Sequence, residues 1–66
     1  MKAYRILVHD RRAAAPQEWK AEMARDDRAV EFARDRLAAS DNLIGIEVWS
    51  GPVRLCRFGE EIRRAA

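Results

Sequence analysis

Only one stretch of this chain, Arg28 to Ala39, repeats its apolar residues at helical spacing; the apolar residues on either side alternate with polar ones. Ala29, Val30, Ala33 and Leu37 form one stripe, with Arg28, Glu31, Arg34 and Asp35 opposite and Phe32 at the stripe's edge. A single amphipathic helix cannot bury its stripe alone, so the alternating segments must supply an apolar floor. One helix on one sheet is therefore the expected architecture.

Lys2 to Val8 reads as the first strand, with Tyr4, Ile6 and Val8 on one face and Arg5 and Leu7 on the other. His9 to Pro16 is polar and alanine-rich and ends in a residue that cannot donate to a ladder, so it is a loop. Gln17 to Arg25 fits two readings. Its Ala and Glu content favours helix, whereas alternation puts Trp19, Ala21 and Met23 on one side of a strand. Asp26-Asp27 favours the strand, because a helix cap inside one long helix would be wasted.

After the helix, Ser40-Asp41-Asn42 is a stop, with Asn42 expected in the left-handed region. Leu43 to Trp49 is the next strand, with Ile44, Ile46 and Val48 expected on one face and Gly45, Glu47 and Trp49 on the other. Ser50-Gly51-Pro52 is a tight turn into Val53 to Phe58. Residues 58–66 form a tail; Glu60 to Arg64 has acids before bases and suits a short terminal helix that frays unless Ile62 docks. The fold class is α+β: a ββαββ chain, with a four-stranded, mostly antiparallel sheet and one helix on one face. The alternative is βαββ with one long helix over 17–39.

Length and charge narrow the function. At 66 residues the chain is one small domain, burying about 60% of the surface its unfolded form exposes. Thirteen basic and eleven acidic residues leave a net charge of +2, and the signs are interspersed, as in Arg25-Asp26-Asp27-Arg28. A polyanion footprint wants a one-sided basic field instead. Cys56 is the only cysteine, so an internal disulfide and a cysteine-built zinc site are excluded. Apolar runs are too short for a membrane span or a signal peptide, which with the single thiol points to the cytoplasm. Twelve alanines, eleven arginines and no threonine are what a GC-rich bacterial genome produces.

The motifs Tyr4-Arg5-Ile6, Asp26-Asp27, Ala29, Ala33-Arg34, Glu47-Val48-Trp49-Ser50-Gly51 and Arg54 span most of the chain. In these the sequence resembles a group of short, functionally uncharacterised alphaproteobacterial proteins. That group shows a Tyr-Arg-apolar strand, an Asp-Asp helix cap and a Glu-apolar-Trp-x-Gly hairpin. The resemblance implies the ββαββ pattern, with a strand before the Asp-Asp pair, and carries no activity or site with it.

No catalytic, cofactor-binding or metal-ligating set is expected. His9-Asp10 pairs a proton-transfer group with a carboxylate, but neighbours on a strand point to opposite faces. Cys56 lies near Arg54 and Arg57 in sequence, yet a free cysteine between Leu55 and Phe58 packs as a small hydrophobe. The scattered glycines make no phosphate cradle. What remains is the sheet face away from the helix, expected to carry Arg5, Leu7, Glu47, Trp49, Arg54, Cys56 and Phe58, a composition common in interfaces. The expectation is a non-catalytic interaction or structural module that self-associates through this exposed sheet face or through an open sheet edge, its partner a second copy, as a homodimer, or another protein. The alternative is a nucleic-acid-binding accessory protein using Arg5, Arg11, Arg12 and Arg54 with Trp49 stacking on bases, against which the dispersed acids argue.

Overall fold

The structure, a computed structural model, describes residues 1–59. The expected terminal helix at Glu60 to Arg64 lies outside the described residues. These residues form β1 (Lys2–Asp10), β2 (Gln17–Met23), α1 (Asp26–Ala39), β3 (Leu43–Ser50) and β4 (Val53–Gly59). The strands make one antiparallel sheet in the order β2-β1-β3-β4, and α1 lies on one face. This is the expected ββαββ chain.

The long-helix alternative over 17–39 is overturned at β2. Pairing with β1 sets Trp19 opposite Ile6 and Ala21 opposite Tyr4, so the apolar residues of β2 extend the floor beneath the helix. A helix over the same residues would forgo that ladder and leave β1 as an edge. Tertiary pairing here outweighs the helix propensity of Ala and Glu.

The Asp26-Asp27 pair starts α1 but does not cap it. The N-cap residue is Arg25, in extended conformation and without a side-chain cap. Both aspartates sit in the first turn, where their charge suits the positive end of the helix dipole. Asp26 turns back to β1, its Oδ1 accepting from Tyr4 Oη at 2.6 Å and from Lys2 Nζ at 2.7 Å. At the other end Ser40 is extended and its N–H reaches Leu37 O. No non-glycine residue among those described has positive φ, so Asn42 is not left-handed.

Tyr4, Ile6 and Val8 from β1, Ala29, Ala33 and Leu37 from α1, and Leu43, Ile46 and Val48 from β3 form the core. Alanines on the helix face let its backbone approach the sheet closely. Trp19, Ala21, Met23, Leu55, Cys56 and Phe58 pack around this centre, half-buried.

Two register shifts change which side chains face inward. Between β1 and β3 the pairing steps from His9–Gly45 to Asp10–Leu43, which makes Ile44 an extra residue. Ile44 is therefore 41% exposed, and Leu43, at 6%, takes the core place expected for it. Between β3 and β4 the pairing steps from Trp49–Arg54 to Val48–Cys56, which makes Leu55 the extra residue.

Candidate interaction surface

Residues directly opposite in a ladder share a face, so the registers assign every strand position to a side. Ile6 pairs with Trp19 and Val48, and Val48 with Cys56; Val8 pairs with Ile46, and Ile46 with Phe58. These residues face the helix. The intervening rows face away: Lys20, Arg5, Trp49 and Arg54 in one, Glu18, Leu7, Glu47 and Arg57 in the next.

Arg5, Leu7, Glu47, Trp49 and Arg54 therefore share the face away from the helix. Cys56 and Phe58 do not. Strict alternation from Arg54 groups them with it, but the extra residue Leu55 inverts the strand beyond it. Phe58 lies under the Arg34 guanidinium of α1, 5.5 Å from ring centroid to Cζ. Cys56 is half-buried on the same side, and burial pushes its thiol above the ordinary range. That environment suits packing rather than nucleophilic attack.

Glu47 is the hub of the outer face. Its carboxylate is only 13% exposed, with His9 Nε2 at 2.9 Å from Oε2 and Arg54 Nη1 at 3.6 Å from Oε1. A carboxylate can only accept, so Nε2 carries the donated proton. The His9 bond is the main reason the Glu47 carboxyl sits below its ordinary pKa; burial opposes it, and Trp49 and Arg54 assist. The indole N–H is near enough to act on that charge, but its geometry falls short of a hydrogen bond. Trp49 Nε1 is a buried donor without an acceptor. Its neighbouring charge is the Glu47 carboxylate, which it helps to hold ionised. Over the same indole lies Arg5, its Cζ 5.6 Å from the ring centroid and its Nε 3.8 Å from Glu18 Oε1.

His9 and Asp10, adjacent in sequence, act separately. Asp10 accepts from Arg12 N at 2.8 Å, Arg12 Nε at 3.0 Å and Arg12 Nη2 at 2.8 Å, closing the turn after β1. These bonds hold its carboxyl at about 2. Arg12 is thereby tied to the loop and takes no part in the outer face. The His9–Glu47 pairing escapes sequence reading because the residues are far apart in the chain. The only signal was that β1 and β3 both carry polar residues on one side.

A shallow cleft of about 320 Å³ lies between the β1–β2 loop and the end of α1, lined by Arg12, Gln17, Trp19, Arg36 and Leu43 among others. Arg36 stacks on Trp19, its Cζ 4.8 Å from the ring centroid. Among the described residues no group of three His, Cys, Asp or Glu is placed to hold a metal ion. None of the helix among them is long and apolar enough to cross a membrane. No protein-family model matches the chain, and neither a curated protein nor a solved structure matches it.

Proposed function

We propose that this chain is a small non-catalytic module that works by self-association, as a homodimer, through sheet surface its own helix leaves bare. The observation that carries the reading is the geometry of the sheet. One helix covers one face of four strands, and Arg5, Leu7, Glu47 and Trp49 lie on the other. The strands β2 and β4 also present free edges among the described residues. A thin core of this size gains stability when a second copy removes more apolar surface from water. A cytoplasmic setting accords with this role, since a reducing compartment keeps Cys56 a free thiol.

Sedimentation equilibrium from 1 µM to several hundred µM tests the proposal; a reversible monomer–dimer equilibrium is expected. A chain that stays folded and strictly monomeric over that range overturns it.

A second reading has one observation in its favour. The register aligns Lys20, Arg5, Trp49 and Arg54 in a single row across the sheet, cations flanking an aromatic ring. Against it, Arg5 is paired with Glu18 and Arg54 with Glu47. Binding of a single-stranded oligonucleotide that weakens steeply between 50 and 200 mM salt would support it; absence of binding at the lower salt would overturn it.

A further inference from the structure

Resting on the self-association reading, we infer that the second copy adds through the β2 edge. Two β2 strands run antiparallel about a two-fold axis at Ala21, joining two sheets into one of eight strands.

The free edges differ. β4 follows Pro52 and is broken by the extra residue Leu55, the kind of irregularity that spoils an edge for pairing. β2 pairs with β1 over its whole length with no register shift, and it contains neither Gly nor Pro. Its outer backbone groups form an even template.

Charge selects the register. Opposed residues must share a face, so the axis passes through a residue rather than between two. The outward side chains are Glu18, Lys20 and Glu22. Centring on Lys20 sets lysine on lysine and Glu18 on Glu22, which repels. Centring on Trp19 also pairs unlike charges, Glu18 with Lys20, but it sets the two bulky indoles directly opposite and leaves Met23 beyond the paired stretch. Centring on Ala21 gives two Lys20–Glu22 pairs within β2. A lysine in an edge strand usually guards against pairing. Flanked by two glutamates it becomes a register device.

The inner face agrees with the same register. Helix α1 lies chiefly over β3 and β4 and reaches β2 much less, leaving Trp19, Ala21 and Met23 half-buried. An axis at Ala21 sets each Trp19 across from Met23 of the other copy, with the two alanines between. Such an axis is perpendicular to the joined sheet, so both helices lie on one side. They then flank a shared apolar floor that neither subunit completes alone.

The experiment compares dimer affinity by sedimentation for wild type, Lys20→Glu, Glu22→Lys and the double variant Lys20→Glu/Glu22→Lys. Each single change sets like charges opposite twice and is expected to weaken the dimer tenfold or more. The double change restores opposite pairs and is expected to return to within about threefold of wild type. In a Cys56→Ser background, Ala21→Cys is expected to form an intermolecular disulfide under mild oxidation. A wild-type dimer whose affinity ignores all three charge variants, with no Ala21→Cys cross-link, overturns the edge inference while leaving self-association intact. A folded wild-type monomer throughout overturns both.

Discussion

Tyr4 donates its hydroxyl hydrogen bond to Asp26 Oδ1 at 2.6 Å, fastening the first strand to the first turn of the helix. Lys2 joins the same oxygen at 2.7 Å, so one carboxylate gathers two donors from β1. Burial, then this bond, pushes the Tyr4 hydroxyl up from 10.0 to about 12.

An acid whose folded pKa is raised binds its proton more tightly in the folded chain. The stability this confers is complete below pH 10 and is lost as pH rises through about 12. Melting temperature is expected to fall over that window. Tyr4→Phe is expected to melt lower than wild type at neutral pH and to lose most of this alkaline dependence. Thermal melts by circular dichroism between pH 7 and 12 provide the check.

On the acid side the sign reverses. Glu47 is held below 4.5 and Asp10 is lowered from 3.8 to about 2, so both favour the folded chain when ionised. Their contribution is full above those ordinary values and is lost as pH falls through the lowered ones. Glu47→Gln is expected to flatten the upper part of the acid limb, and Asp10→Asn the lower part down to about pH 2. Urea midpoints measured from pH 6 to pH 2 separate the two.

Leu43 and Ile44 are neighbours with opposite burdens. Leu43→Ala empties a core position and is expected to cost about 2–5 kcal/mol, a large part of the roughly 3–10 kcal/mol available to a domain this size. Ile44→Ala removes an exposed side chain and is expected to stay within about 0.5 kcal/mol. Chemical denaturation of the two variants compares them directly; equal losses would contradict the register shift at Ile44.

The β3–β4 loop consists of Gly51 and Pro52 between the paired residues Ser50 and Val53. Gly51 has φ +57°, and proline at the next position excludes a second positive φ, which selects the type II′ turn. A Cβ at Gly51 meets nothing within 4 Å, so the penalty of substitution is backbone strain alone. Gly51→Ala is expected to lose about 1–2 kcal/mol. The denaturation midpoint of this variant against wild type gives the check.

The outer-face residues show where pattern reading works. Arg5, Leu7, Glu47 and Trp49 lie in the stretch of the β1–β3 ladder that pairs without a shift, and simple alternation within it places them correctly. Cys56 and Phe58 come after the extra residue Leu55, and alternation carried past it assigns them to the wrong side. The His9–Glu47 bond depends on two strands far apart in sequence meeting in one register, which no local pattern records. The Asp26-Asp27 pair was readable as a helix start, but its link to Tyr4 was not, because that link requires the helix already folded over β1.

By itself the sequence determined the helix, the strands β1, β3 and β4 and their order, and left Gln17 to Arg25 between strand and helix until pairing with β1 decided it. Period-two and period-3.6 patterns, turn residues and early helix acids are local properties, and a backbone segment answers to them wherever it stands. Which residues face the helix past each bulge, which edge stays regular, and which carboxylate meets which cation were decided only in three dimensions. A strand's side-chain period is two, so a single unpaired residue inverts everything beyond it. The site of that residue is set by how two distant strands best bury their apolar faces together.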